Sequence, residues 1–350
     1  MPTALPSDLD RTLARMLREW IEIPSVTGDE AGYADSLARA LEQRGFAVER
    51  QAVAEGRFNL LARAGEPRVV FCTHLDTVPP YFGSSEDAEF VRGRGACDAK
   101  GQAASMLAAA EALLTSGEDR VGFLFTVGEE IDSIGAVVAN QRQASPWTPA
   151  FTIVGEPTDG RFVRAHKGVF KARLCAHGVA GHSSQNIGPS AVHELVACLA
   201  RVLATDWGND PVLGRGSVNV GLISGGIAPN VVAPEASASI LARLARPFDE
   251  ARRAFEAALT EHVTPHSDPF GYGPITFALP ADVSPDEAPV VAFGTDAPYL
   301  DGWGERLLFG PGAILDAHTD HEKIAKRDLA SAAARHVDVV RDLLARVDAD

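Results

Sequence analysis

The stretch VVFCTHLDTVPP at residues 69–80 decides how the rest of the chain is interpreted. Its apolar first half predicts a strand that ends near His74 and breaks at Pro79 and Pro80. Side chains two residues apart in an extended chain point to the same side, so His74 and Asp76 share a face at the strand's exit. A carboxylate beside an imidazole is typical of a metal-ligating histidine. Taken alone, however, the pattern favours a surface histidine beside a strand-capping aspartate.

The composition excludes several classes of protein. With 350 residues, 46% of them hydrophobic and 23% charged, the chain has the make-up of a globular protein of two domains. A net charge of −15 argues against nucleic acid or an anionic membrane as the main partner, since both need a basic face. No apolar run approaches the roughly 20 residues that span a bilayer. The N-terminus does not resemble a signal peptide and the four separated cysteines predict free thiols, so we expect a cytoplasmic protein.

Helices that alternate with apolar strands predict an α/β domain, in which a mixed sheet is flanked by helices. The run VGFLFTV at residues 121–127 is continuously apolar, which is typical of a strand buried on both faces. Thr27 and Glu30 have capping-box spacing and predict the start of a second helix. After about residue 164, a β-α-β-β-α order predicts an inserted α+β module of ferredoxin-like topology. The expected domains are a discontinuous one at 1–163 and 273–350, and an inserted one at 164–272.

Candidate functional residues lie where predicted strands or a glycine-rich turn end. They are His74-x-Asp76, Asp98 in GRGACDAKGQ, the pair Glu129-Glu130 after VGFLFTV, Glu156 in VGEPT and His318 in FGPGAILDAHTDHE. Each alone could be a helix cap, a solvated turn or a loop residue, but together at strand exits they favour one site. Two histidines and several carboxylates suit Zn²⁺, with Co²⁺ or Mn²⁺ as alternatives. One catalytic ion needs fewer ligands, whereas two ions that share a carboxylate would use them all.

Patterns for other chemistries are incomplete in this sequence. Gly93-x-Gly95-x-x-Asp98 has an acid where a dinucleotide fingerprint needs its third glycine, and that acid would repel a pyrophosphate. The sequence contains neither a P-loop nor a G-x-S-x-G elbow. A metal site is therefore the favoured interpretation.

The motifs HLDTVP, GRGACDAKG, GEPT, GHSS and AHTDHE, with the strand that ends in Glu129-Glu130, resemble in order those of the M20 family of dinuclear zinc amidohydrolases. The resemblance covers roughly residues 8–345. Within that family, VGEPTDGRFVRAHKGVFKARLCAHGVAGHSS, GTDAPYL and FGPGAILDAHTDHE are most similar to the acetylornithine deacetylases. The resemblance implies a zinc-peptidase-like catalytic domain, and an inserted dimerisation or lid domain through which the protein forms a homodimer.

The resemblance also implies a role for each matching residue of the catalytic domain. The implied ligands of two zinc ions are Asp98 as the bridge, His74 and Glu156 at one ion, and Glu130 and His318 at the other. Glu129 would be the general base, and Asp76 would hold the imidazole of His74. In relatives the peptide after the bridging aspartate is often cis, which raises the same expectation for Asp98–Ala99.

The resemblance also implies roles for three residues of the inserted domain, and two of these residues match the family less closely. The GHSS histidine, His182, would reach the active site of the partner subunit and donate to the developing oxyanion. Asn230 in GGIAPN and Arg243 occupy positions where family members meet the carboxylate or amide groups of the substrate. Arg243 also fits a plain surface arginine.

The implied function is the hydrolysis of an N-acyl amino acid, with N²-acetyl-L-ornithine, which would give L-ornithine and acetate, as the first candidate. The alternatives are N-succinyl-diaminopimelate, N-acetylcitrulline, an N-acyl-lysine, a dipeptide, or a non-catalytic binding protein with the same fold. Two Zn²⁺ ions and three ligand carboxylates would leave a formal site charge of +1. A small anionic substrate suits that charge.

Overall fold

The computed structural model describes residues 8–185 and 187–349. The chain divides into two compact units. The first comprises the described residues of Met1–Arg164, Phe277–Pro289 and Thr295–Asp350, and the second comprises those of Ala165–Thr276 and Val290–Gly294. The second unit therefore continues past the expected end at residue 272, and it gains a separate short segment that the sequence had assigned to the first domain.

The elements are numbered in chain order. The helices are α1 (Leu9–Ile21), α2 (Ala31–Glu42), α3 (Lys100–Thr115), α4 (Ile134–Gln141), α5 (Ala191–Ala204), α6 (Phe248–Ala258) and α7 (Lys326–Val347), with a 3₁₀ turn at Ala297–Tyr299. The strands are β1 (Ala47–Ala54), β2 (Arg57–Arg63), β3 (Val69–His74), β4 (Ser85–Glu86), β5 (Phe90–Arg92), β6 (Val121–Thr126), β7 (Phe151–Val154), β8 (Ala165–His166), β9 (Gly168–His177), β10 (Gly181–His182), β11 (Asn209–Asp210), β12 (Gly214–Arg215), β13 (Ser217–Gly225), β14 (Val231–Val232), β15 (Glu235–Leu244), β16 (Val263–Pro265), β17 (Phe270–Tyr272), β18 (Ile275–Thr276), β19 (Val290–Val291), β20 (Glu305–Leu308) and β21 (Lys323–Ala325).

The first unit is built on a six-stranded sheet in the order β1-β2-β6-β3-β7-β20. The four strands β6, β3, β7 and β20 run parallel, whereas β2 is antiparallel to β6 and β1 is antiparallel to β2. All residues of β3, β6 and β7 are buried, and for β6 the apolar run VGFLFTV predicts this. The sequence prediction of a mixed α/β sheet is confirmed. The carboxyl ends of the four parallel strands meet at one edge, where open α/β sheets place their ligands.

Helices α1, α3 and α7 pack on one another and share one hydrophobic core with the sheet. Helix α3 is buried along almost its whole length, and its alanines at 103, 104 and 108–110 explain why it can be. Small side chains let a helix lie close to its neighbours on several sides. This close packing fixes the N-terminus of α3, which begins two residues after Asp98.

Helix α7 carries a histidine inside the core. His336 is fully buried, and neither of its ring nitrogens meets a hydrogen-bond partner among the described residues. Its ring makes edge-on contacts with Phe71 and Phe309, with centroids 5.1 and 5.0 Å away. Burial lowers the pKa of this imidazole to about 3. The folded protein therefore holds His336 neutral.

Because His336 is neutral in the folded protein, the free energy of unfolding should decrease as the pH decreases. The unfolded imidazole takes up a proton near pH 6.5, whereas the folded one does so only near pH 3. Protonation therefore favours the unfolded chain as the pH falls below 6.5, at a cost of about 2 kcal/mol at pH 5. We expect His336→Leu to remove this share of the pH dependence, measured as the difference between the urea unfolding free energies at pH 7.5 and pH 5. Leu343→Ala, a buried substitution in the same helix without a titrating group, is the control, and an unchanged pH dependence in His336→Leu would contradict the prediction.

The second unit is built on an antiparallel sheet in the order β13-β15-β9-β16, with β17 also paired to β9. Apart from β17 and the two-residue strands, its elements follow the order β9-α5-β13-β15-α6-β16. This order and strand arrangement are those of the split βαβ, ferredoxin-like topology. One face of the sheet packs against α5 and α6, because alternate residues of β15 from Ala236 to Leu244 are buried there.

Two smaller features complete the fold. Strand β19 pairs in parallel with β8, so Val290–Val291 belongs to the second unit. The expected domain range 273–350 was therefore wrong for these residues. The four cysteines are free thiols, as predicted. Across residues 8–185 and 187–349, no helix combines the length and the apolar character that crossing a bilayer requires.

Candidate metal centre

The candidate residues of the first unit gather at the carboxyl edge of its parallel strands. His74 is the last residue of β3, and Glu156 follows β7 by two residues. The pair Glu129-Glu130 follows β6 after a short turn, and Asp98 precedes α3 by two residues. Since β3, β6 and β7 are neighbours and run parallel, their ends bring these side chains together.

The first cluster consists of His74, Asp98 and Glu156. The possible ligand atoms of the three side chains all lie within 4.8 Å of one another, and all three residues are buried. Nε2 of His74 lies 2.8 Å from Oδ1 of Asp98. Its other ring nitrogen, Nδ1, lies 2.9 Å from the main-chain oxygen of Asp76, which fixes the orientation of the imidazole.

The second cluster consists of Asp98, Glu130 and His318, and its possible ligand atoms also lie within 4.8 Å of one another. Nε2 of His318 lies 3.2 Å from Oδ2 of Asp98 and 3.0 Å from Oε2 of Glu130. Asp98 therefore belongs to both clusters and turns one carboxylate oxygen toward each. This is the geometry in which a carboxylate can bridge two cations.

The electrostatics of the clusters fit cations. Burial, followed by the neighbouring carboxylates, raises the pKa of Glu129 and Glu156, and the same causes raise that of Glu130. Hydrogen bonds to Asp98 and Glu130 raise the pKa of His318 to about 10. The carboxylates of Asp98, Glu129, Glu130 and Glu156 thus lie close to buried His74 and to His318, which is partly exposed. This leaves excess negative charge, which is costly where it is away from water. Imidazole nitrogens and carboxylate oxygens are suitable ligands for divalent metals, so these residues could hold metal ions.

Asp76 supports the site through the main chain of the neighbouring loop. One of its carboxylate oxygens, Oδ1, accepts hydrogen bonds from the main-chain N–H groups of Gly128 and Glu129, and the other, Oδ2, accepts one from Glu130, at 3.0–3.2 Å. The hydroxyl of Thr27 donates to the same side chain at 2.7 Å. The carboxylate is 3.6 Å from Nδ1 of His74, farther than these donors. Asp76 therefore orients the pair Glu129-Glu130 at least as directly as it orients the imidazole.

The backbone departs from ordinary geometry at two site positions. His318 has a φ of +61°, in the left-handed region that residues other than glycine rarely occupy. Such conformations persist where the surrounding structure over-determines them, and they cluster at functional sites. The Asp98–Ala99 peptide bond is cis, as the family resemblance led us to expect.

The sequence reasoning quoted two buried acids within motifs but gave neither a role. Asp296, in GTDAPYL, accepts a hydrogen bond of 2.6 Å from the hydroxyl of Thr126 at the end of β6, and burial raises its pKa to about 6. Glu322, the last residue of AHTDHE, accepts hydrogen bonds from the main chain beside Asp98. Their position inside motifs that resemble a family was the only sequence signal for either acid.

The remaining candidates lie in the second unit. His182 is exposed in β10, and its Nδ1 accepts a hydrogen bond from the main-chain N–H of Ser184. Asn230 is also exposed, and its main-chain oxygen accepts a hydrogen bond from Ser183, so these two candidates share one pair of loops. Arg243 is half-buried near the end of β15, opposite Val169 of β9. The structure thus brings His182 and Asn230 near each other and places Arg243 on the sheet.

Comparison with known proteins places the chain in a family. A profile described as peptidase family M20/M25/M40 matches residues 70–342. A peptidase M20 domain-containing protein of Schizosaccharomyces pombe is 34% identical over 325 residues, which cover 89% of this chain and 80% of that protein. A probable carboxypeptidase of Aspergillus terreus is 35% identical over 357 residues, which cover 90% and 82%. Among solved structures, the aminopeptidase PepT of Bacillus cereus has the same fold, with a TM-score of 0.74 at 20% identity over 96% of this chain and 99% of that one.

Proposed function

Because the chain belongs to peptidase family M20/M25/M40, we propose that it hydrolyses an amide bond of a small carboxylate-bearing substrate, using two metal ions. The observation that carries the proposal is Asp98, which turns one oxygen to the first cluster and one to the second. His74 and Glu156 would complete the first site, and Glu130 and His318 the second. We propose Zn²⁺ as the metal, with Co²⁺ as a substitute, because both accept this mixed nitrogen and oxygen ligand set.

Glu129 is the proposed general base. It belongs to neither cluster, although its neighbour Glu130 does. Bound metal ions would supply Lewis-acid polarisation of the scissile carbonyl. Glu129 would take a proton from the attacking water and return it to the nitrogen of the leaving amine. Burial raises the pKa of its carboxyl group, which suits a group that must both accept and release a proton.

Two kinds of substrate fit this chemistry. The motifs similar to acetylornithine deacetylases favour N²-acetyl-L-ornithine, whereas relatives named as probable carboxypeptidases favour a peptide with a free terminal carboxylate. Both are amides of an amino acid that keeps its carboxylate. We propose that class, and we assign Asn230 and Arg243 to binding of the substrate's carboxylate or amide groups.

We further propose that the protein acts as a homodimer through its second unit. Within the described part of the chain, β13 pairs on one side only, with β15. Large apolar residues are exposed on and just after it, namely Leu222, Ile223 and Ile227. Exposed apolar edge strands commonly pair with another chain. His182, which is exposed in the same unit, would donate to the developing oxyanion in the partner subunit's site. A cytoplasmic location stays a prediction based on the free cysteines and the N-terminal sequence.

A substrate panel tests the proposed function. The protein, loaded with two equivalents of Zn²⁺ or Co²⁺, is assayed with N²-acetyl-L-ornithine, N-acetylcitrulline, N-succinyl-diaminopimelate, an N-acyl-lysine and dipeptides. We expect hydrolysis of at least one, and at least a 100-fold lower kcat/KM when its carboxylate is replaced by a primary amide. The acetylornithine assignment fails if another substrate is turned over 100-fold faster. Absence of hydrolysis across the panel would favour a non-catalytic binding protein.

A further inference from the structure

Glu322 lies beside the metal-ligand loops but belongs to neither cluster. Its side chain is fully buried. Oε1 accepts hydrogen bonds from the main-chain N–H groups of Cys97 and Asp98, both at 3.1 Å. Oε2 accepts a hydrogen bond from Nη1 of Arg94 at 2.7 Å. Both carboxylate oxygens are therefore engaged, and one of them directly holds the main chain of the residue that joins the two clusters.

Arg94 fixes the other end of this interaction. Its side chain is 1% exposed, and its Nε donates to the main-chain oxygen of Pro80 at 3.2 Å. The guanidinium also lies 5.0 Å from the ring centroid of Phe82. The Glu322–Arg94 ion pair is thus buried, and each partner makes further hydrogen bonds to the main chain. Loss of one partner of such a pair leaves an uncompensated buried charge.

Glu322 also connects two segments of chain that are distant in sequence. It follows His318 by four residues and directly precedes β21, whose first residue, Lys323, pairs with Arg92 at the end of β5. Its main-chain oxygen accepts a hydrogen bond from Gly93 at 3.1 Å. Glu322 therefore joins the loop that carries Asp98 to the segment that carries His318, through both its main chain and its side chain.

The two clusters depend differently on this connection. In the first cluster, His74 ends a buried strand and Glu156 follows another, so the central sheet places both. In the second cluster, His318 lies in the segment between β20 and β21, where its side chain is 51% exposed and its φ is +61°. The fixed point nearest to His318 toward the C-terminus is the Glu322–β21 junction.

From these contacts we propose that Glu322 is a positioning residue that holds Asp98 against His318 and thereby sets the metal affinity of the second cluster. The proposal rests on the two-metal function proposed above. Glutamine at this position keeps the size of the side chain, but it loses the charge and presents an NH₂ group to one set of donors. Asp98 and His318, two of the three residues of the second cluster, then lose their common anchor. In the first cluster only Asp98 is affected, because the central sheet still places His74 and Glu156.

Titration of metal-free protein with Co²⁺ tests the proposal, with calorimetry and the visible d–d absorption of each bound equivalent as readouts. For Glu322→Gln we expect the first equivalent to bind within threefold of the parent, and the second to bind about 10–100-fold more weakly. The double variant Arg94→Gln/Glu322→Gln replaces the ion pair with a neutral hydrogen-bonding pair. This double variant should recover at least part of the affinity for the second equivalent of Co²⁺. It leaves no unpaired buried charge, so it tests the proposal without that source of instability.

Leu343→Ala is the matched control, because it removes buried side-chain volume in α7 at a residue that belongs to neither cluster. It should lower Tm and leave both Co²⁺ affinities within threefold of the parent. The proposal is overturned if Glu322→Gln binds both equivalents like the parent, or if both affinities fall together in Glu322→Gln. If the parent itself binds fewer than two equivalents, the proposed two-metal function fails, and this inference fails with it.

Discussion

Replacement of Glu129 with glutamine should lower kcat about 10²–10⁴-fold while the protein still binds two equivalents of metal. Glutamine has nearly the same shape as glutamate but cannot accept a proton at neutral pH. Glu129 lies outside both clusters, so no ligand atom is lost. The measurements are kcat with the best substrate of the panel, and metal content by elemental analysis after loading and gel filtration.

The adjacent residue provides the matched control. Glu130→Gln makes the same chemical change one position along the chain, but it removes a carboxylate that lies 3.0 Å from His318 in the second cluster. It should lose about one equivalent of metal. Equal metal loss in the two variants would show that Glu129 and Glu130 do not have separate roles as base and ligand. A parent-like kcat in Glu129→Gln would show that Glu129 is not the general base.

The physical reason for these different roles is one that the sequence could not provide. If the strand stayed extended, neighbouring glutamates would point to opposite faces. In the structure β6 ends at Thr126, and both glutamates lie in the turn that follows. Their N–H groups donate to Asp76, which is more than 50 residues earlier in the chain. Their directions are therefore set by a long-range hydrogen-bonded turn and not by strand alternation.

The central strands were predictable because their signal is local. Strand β6 begins at Val121, the first residue of VGFLFTV, and ends within one residue of the end of that run. A strand buried on both faces needs apolar side chains at every position, so its sequence alone marks it. The convergence of the strand ends then follows from the parallel pairing, and this is why the ligand candidates could be proposed together.

Polar residues with long-range partners were harder to predict. Thr27 and Glu30 have capping-box spacing, yet no side chain among the described residues caps the start of α2. Thr27 donates to Asp76, 49 residues away, and Glu30 pairs with Arg57, 27 residues away. A capping box would add two local hydrogen bonds. The observed contacts instead pair buried carboxylates, and a buried charge without a partner costs more free energy than a lost local hydrogen bond. The same limit applies to the domain placement of β19, which only its pairing with β8 reveals.

Substitution of Asp98 should have the largest effect on metal content. Oδ1 lies 2.8 Å from Nε2 of His74 and Oδ2 lies 3.2 Å from Nε2 of His318, so each oxygen serves one cluster. Asp98→Ala removes both oxygens, and we expect it to weaken the binding of both metal ions at least about 100-fold. Asp98→Asn keeps one oxygen, and because its NH₂ group cannot ligate, it should retain at most one tightly bound equivalent.

The difference in metal content between Asp98→Asn and Asp98→Ala tests whether Asp98 bridges two ions. If Asp98 bridges two ions, equivalents retained after gel filtration should fall from two in the parent to one or fewer in Asp98→Asn and to none in Asp98→Ala. Asp296→Asn is the control, because Asp296 is another buried aspartate of the same unit that belongs to neither cluster. It should retain both equivalents. If Asp98→Ala instead kept one equivalent at parent affinity, Asp98 would serve a single ion, and the four other ligands would have to divide without a shared carboxylate.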